Sequence, residues 1–198
     1  ITGGFSHIDT LTGSSTAGNS LTGENTTNTW TITGANAGTL NDGSATLTFS
    51  NFGTWNGGTA TDTLVGDNGG DAFNITANDA GNVTGLVTSF TSMQNLTGGS
   101  GNDTFTFSNG KTLSGTVDGT TGSDAIDYSA YTTATDVVLT GADANGYAGT
   151  DGGITGGFSH IDTLTGSTTA SNRRTGDNTT GTKSITGNDS GTLNDGTA

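Results

Sequence analysis

The chain has 198 residues, a net charge of −14, 36 Gly, no Pro, no Cys and only four Lys plus Arg. So few cations exclude a phosphate-binding nucleic-acid surface and argue against docking on an anionic membrane. The missing Cys excludes disulfides and thiolate-held metals, and no apolar run reaches the length of a membrane span.

The residues that remain favour short strands and many turns. Thr, with 45 copies, suits extended backbone through its branched Cβ, and Gly suits tight turns. Leu, Ile, Val and Phe number only 33, too few for a broad globular core. They fall in short alternating runs, which predicts a thin core lined by one or two residues per strand.

The first run is ITGGFSHIDTLTGS, residues 1–14, which carries the pattern Phe-x-x-Φ-x-x-Φ-x-Gly (Φ apolar) at Phe5, Ile8, Leu11 and Gly13. Alternation around Trp30-Thr31-Ile32 predicts a strand, and Ala37-Gly38-Thr39-Leu40 follows it. The Phe pattern returns at Phe49, Phe52, Trp55 and Gly57. Residues 57–65 and 66–74 then form two Gly/Asp-rich nonapeptides in succession, containing Asp62, Asp67 and Asp71.

The Trp30 pattern recurs as Phe73-Asn74-Ile75 with Ala80-Gly81-Asn82-Val83, and the Phe pattern as Phe90, Met93, Leu96 and Gly98. A third nonapeptide, Gly98 to Thr106 around Asp103, fits the pattern G-G-x-G-x-D-x-Φ-x at every position. A fourth, Gly119 to Asp127 around Asp124, departs from it once. The glycines let each turn fold tightly and point carbonyls at a cation, and the Asp adds a charged oxygen, which a hard ion prefers. Asp62, Asp67, Asp71, Asp103 and Asp124 are therefore candidate calcium ligands. Gly-Asn-Asp turns that only reverse the chain are the alternative.

Residues 154–167 repeat residues 1–14 identically, and the correspondence continues to Ala198 at the same offset. Residues 1–153 thus read as one complete unit and 154–198 as the start of the next, continuous with the first. The match weakens at 168–184, where Arg173, Arg174 and Lys183 stand in place of Ser20, Leu21 and Trp30. Inside the unit the patterns recur at spacings near forty residues. We read that as two coils of about 20 residues each.

The nonapeptides, with NTWTITGANAGTLN, SMQNLTGGSGNDTF and GSDAIDYSAY, resemble the RTX-type calcium-binding repeats. They look still more like the giant repetitive secreted or surface-anchored proteins of bacteria. That resemblance covers most of residues 19–140 and implies a parallel β-solenoid exported to the surface or medium. The chain departs from true RTX blocks, in which many nonapeptides run in succession. Here only 57–74 gives two together, and Ala60 replaces a glycine.

Nothing assembles into a catalytic set. His7 and His160 are equivalent positions in two copies, and Asp124 with Asp127 reads as a turn before a glycosidase pair. Tyr128, Tyr131 and Tyr147 could line a sugar strip or stack beside the turns.

The expectation is an all-β parallel β-solenoid (β-helix) of roughly ten coils, right- or left-handed, forming one rod with no internal domain boundary. The expected function is a structural repeat module, acting as stalk, fibre or adhesin/matrix component of a secreted or cell-surface bacterial protein. End-to-end self-association is the expected partnership, with a polysaccharide or cell surface as a further one. Calcium is the only cofactor in view, and a carbohydrate-active β-helix is the remaining alternative.

Overall fold

The computed structural model describes residues 7–16, 18–176, 182–187 and 190–194, the side chains of the last two stretches excepted. Phe5 and the Lys183 side chain lie outside the described residues. Two sheets, of eleven and eight strands, face each other across the core, and no helix occurs among the described residues.

In chain order, β1 (Thr10–Thr12) lies in the first sheet and β2 (Ser20–Thr22) in the second. β3 (Thr29–Gly34), β4 (Ala37–Asn41) and β5 (Thr46–Ser50) are consecutive in the first sheet. β6 (Thr54–Asn56) returns to the second and β7 (Thr63–Val65) to the first. β8 (Ala72–Ala77), β9 (Ala80–Val83) and β10 (Val87–Thr91) are consecutive in the second. β11 (Asn95–Gly99), β12 (Thr104–Phe107), β13 (Val117–Thr120) and β14 (Ala125–Asp127) then alternate, first sheet then second. β15 (Asp136–Asp143), β16 (Gly146–Thr150) and β17 (Phe158–Ile161) are consecutive in the first sheet. β18 (Thr163–Thr165) follows in the second and β19 (Arg173–Thr175) in the first. β20 (Thr182–Gly187) and β21 (Ser190–Asn194) pair as a hairpin, in the register that β3 and β4 use.

The expected solenoid is present, but its coils are longer and fewer. There are about five turns, roughly 34 residues apart, where ten turns of about 20 residues were expected. The physical reason is three antiparallel meanders, β3-β4-β5, β8-β9-β10 and β15-β16-β17. In each, the chain runs two strands ahead and folds back. The last strand of the meander then pairs parallel with a strand laid down earlier: β5 with β1, β10 with β6, β17 with β13. The first strand waits for the next turn: β3 for β7, β8 for β12, β15 for β19. Only where no meander intervenes is the advance short, as from Asp103 to Asp124, 21 residues on.

The recurring sequence patterns mark the two halves of this device. The Trp30 and Phe73 patterns span the outbound hairpins β3-β4 and β8-β9. The Phe-x-x-Φ-x-x-Φ-x-Gly pattern spans the return strand, a corner, and the next single strand. Two residues after its Phe stands a left-handed corner residue: Asn51 (φ 62°), Ser92 (φ 55°) or His160 (φ 53°). The N–H after the corner donates to the hairpin turn of the same meander, Phe52 to the Asn36 carbonyl and Met93 to that of Asp79.

Large side chains meet between the sheets, coil upon coil. Trp30 and Trp55 stack at 5.8 Å, Phe73 and Phe105 at 4.9 Å, and all four are fully buried. Tyr128 and Tyr131 are also buried, ring to ring at 4.9 Å, so they belong to the core and form no exposed sugar strip. The Tyr128 hydroxyl donates to the Asp151 carboxylate, and the Tyr131 hydroxyl to the Lys111 carbonyl.

Candidate functional site

The residue just before each short strand is the chemically distinctive position. Asp71, Asp103, Asp124 and Asp162 precede β8, β12, β14 and β18, one above another along one corner of the stack. The Asp71 N–H donates to Asp103 Oδ1 at 2.7 Å. The Asp103 N–H donates to Asp124 Oδ1 at 2.8 Å, and the Asp124 N–H to Asp162 Oδ2 at 2.8 Å. A second ladder runs along the opposite corner. There Asn28 donates to Asp62 Oδ1 at 2.7 Å, and the Asp62 N–H donates to Gln94 Oε1 at 2.7 Å. The Thr135 N–H meets Asn172 Oδ1 in the same way at 3.0 Å. Each side chain thus satisfies a backbone donor that the turn would otherwise leave unpaired in the interior.

Glycine makes the room. In Gly57–Asp62, Gly66–Asp71, Gly98–Asp103 and Gly119–Asp124 the carboxylate folds over a glycine five residues earlier. A Cβ there would lie 2.2–2.5 Å from Oδ2. The Gly-x-x-x-x-Asp spacing inside the nonapeptides is therefore a steric requirement of the buried carboxylate.

Of the five candidate calcium ligands, Asp62, Asp71, Asp103 and Asp124 are buried in these ladders. Asp67 is half-buried in a turn and accepts from the Gly69 N–H at 2.6 Å. The structure spreads the buried four one per turn over two corners. Among the described residues, no three of His, Asp and Glu gather as a metal site. Asp62, Asp103, Asp124 and Asp162 each spend one oxygen on an N–H of the neighbouring turn. The second oxygens of Asp62, Asp103 and Asp124 are buried with no donor.

Burial sets the acidity of these carboxyls. Burial pushes the Asp103 carboxyl up to about 6, and raises Asp62, Asp71 and Asp124 for the same reason. Burial likewise raises Asp151, beneath Tyr128. His160 is raised as well. Its Nδ1 lies 2.6 Å from Asp118 Oδ1 and its Nε2 3.2 Å from Asp143 Oδ2, tying β13, β15 and β17 together.

The signs agree. A carboxyl raised in the fold binds its proton more tightly folded than unfolded, so stability is gained as pH falls from the folded value toward the unfolded one. His160 stabilises below its unfolded value, and that contribution is lost as pH rises through the folded one. The midpoint of thermal unfolding is therefore expected to be higher at pH 5 than at pH 8. For Asp103 alone the full gain is roughly 3 kcal/mol between the limits. Asp103→Asn keeps the acceptor and removes the buried charge, as Asn172 already does where its Oδ1 accepts from the Thr135 N–H. It is expected to raise the midpoint at pH 8 and flatten the pH dependence. A midpoint that falls on acidification, unchanged by Asp103→Asn, would refute the assignment.

The ladder residues Asn28, Gln94, Asp162 and Asn172 were not singled out in the sequence. The signal for three of them was present: Gly23–Asn28 repeats the five-residue spacing, and Gln94 and Asp162 hold the same place in the Phe pattern, four residues after Phe90 and Phe158. Asn172 carries no such mark.

No family model, curated protein or solved structure matches this chain. The likeness to RTX-type and giant surface repeats therefore rests on the nonapeptides and the solenoid alone.

Proposed function

We propose that the chain is a structural repeat module, a length of stiff rod serving as stalk, fibre or matrix component of a secreted or cell-surface bacterial protein. The observation that carries this reading is the reuse of one segment. Residues 154–167, identical to 1–14, supply β18, which lies on β14 in a continuous parallel stack. A unit that adds on by strand pairing lengthens the same rod without a new interface. The acidic charge favours a dispersed, extended polymer, and the repetitive Gly/Asp turns support export. Adhesion to a polysaccharide or cell surface is the use such a rod would serve, and catalysis forms no part of it.

The test is small-angle scattering of the purified chain with negative-stain imaging. Eleven strands in file span about 50 Å at 4.8 Å per strand. An elongated particle of that length is expected. A sphere of the same mass would remove the proposal.

One observation favours a second reading, a calcium-dependent module: the three buried carboxylate oxygens without donors. Melting curves with calcium and with chelator separate the two. The ladder reading expects coincident curves, and a calcium module expects a large upward shift with the ion.

A further inference from the structure

The repeated segment changes sheets. β1 lies in the eleven-stranded sheet, yet its identical copy β18 lies in the eight-stranded one. β2 lies in the eight-stranded sheet and its counterpart β19 in the eleven-stranded one. Counting a meander as one visit, the chain crosses between the sheets an odd number of times from β1 to β18. A unit of 153 residues therefore ends half a turn out of phase with its start.

The copy also shows what the first edge is shaped to receive. Ile161 is 1 % exposed, under β16, where Tyr147 is its cross-strand partner; the equivalent Ile8 is 43 % exposed. Ser167 is buried and its hydroxyl donates to the Tyr131 carbonyl at 2.7 Å, whereas Ser14 is exposed. β18 takes β14 in the register Ala125–Thr163, Ile126–Leu164, Asp127–Thr165. β19 takes β15 in the register Asp136–Arg173, Val137–Arg174, Val138–Thr175. The same sequence is thus seen both covered and uncovered within one molecule.

Resting on the rod reading above, we propose that the edge formed by β1 and β2 is the docking surface for β14 and β15 of a second copy of the unit. It engages them in the register of β18 and β19, so that successive units are set half a turn apart. Thr10 then pairs with Ala125 of the other copy and Leu11 with its Ile126. Any surface feature carried once per unit emerges on alternate sides of the rod. Between separate chains the contact forms by strand exchange, β1 and β2 of one copy taking the place of β18 and β19 of another.

The chain has no cysteine, so engineered pairs report cleanly. The full-length double variant Ala125→Cys, Thr163→Cys is expected to close an intramolecular disulfide, since paired strands place Cα atoms within bridging distance. Full-length Thr10→Cys is then mixed at high concentration with full-length Ala125→Cys carrying also Leu164→Asp, which weakens that copy's own β18. A Thr10–Ala125 cross-linked dimer is expected, in higher yield than without Leu164→Asp.

Blunt stacking of edge on edge would instead cross-link Thr10→Cys to Arg173→Cys, and that result overturns the proposal. So does the absence of any dimer in a chain that closes the intramolecular bridge. In that last case the rod itself stands, because the 125–163 bridge and the elongated particle report on it separately.

Discussion

Trp55→Ala is expected to cost about 4 kcal/mol, near the upper end for a buried side chain. Trp55 is fully buried on β6, in register with Leu21 of β2 on one side and Phe90 of β10 on the other. Its ring stacks on Trp30 and meets Phe49 edge-on at 4.9 Å, and its indole N–H donates to the Phe52 carbonyl at 2.5 Å. The ring occupies space that Gly38 leaves open, since a Cβ there would lie 2.8 Å from it. A core this thin offers no second layer to collapse into the hole, so cavity and transfer losses add. Equilibrium unfolding in guanidinium, read by circular dichroism, measures the loss. Trp55→Phe keeps the ring contact with Phe49 and is expected to lose less than half as much. Equal losses for the two variants would mean that the indole hydrogen bond, rather than packing, holds this corner.

The elements legible in the sequence were those with local signatures. Alternation marked the strands around Trp30 and Phe73, and the identity of 1–14 with 154–167 marked the tandem repeat. The turns at Asp103 and Asp124 were legible from Gly and Asp alone, because a tight turn with an inward carboxylate needs those residues at those spacings. The meanders were not. Phe49, Phe90 and Phe158 look like the start of a coil, and nothing local distinguishes a strand that advances from one that folds back beside its predecessor. That choice depends on which edge is open when the strand arrives, a property of the assembled stack. The same holds for the ladders: Gln94 accepts from the Asp62 N–H 32 residues away, and neither segment shows which residue of the other it will meet. The spacings near forty were real, but they carry each pattern one and a half turns on, from one sheet to the other, rather than through two short coils. The half-turn phase of the repeat was hidden for the same reason, since it follows only from counting crossings between sheets.

Gly66→Ala is expected to cost roughly 3 kcal/mol, although it adds one methyl group at a turn. The new Cβ would stand 2.1 Å from the Gly98 carbonyl oxygen of the next turn and 2.3 Å from Asp71 Oδ2. Neither atom can withdraw. The Gly98 carbonyl belongs to the turn stacked above, and Asp71 Oδ2 accepts from the Asp67 N–H at 2.8 Å. The Gly66 N–H is itself committed to the Thr97 carbonyl at 2.8 Å, so relief would open a rung between coils. Gly152→Ala, at an exposed bend with nothing within 4 Å, is expected to change stability by less than about 0.5 kcal/mol. Combining Gly66→Ala with Asp71→Ala separates the two clashes. If the carboxylate carries much of the strain, the double variant loses less than the sum of the singles. Strict additivity would place the whole penalty on the Gly98 backbone, and the glycines of the nonapeptides would then serve the stacking of turns rather than the seating of carboxylates.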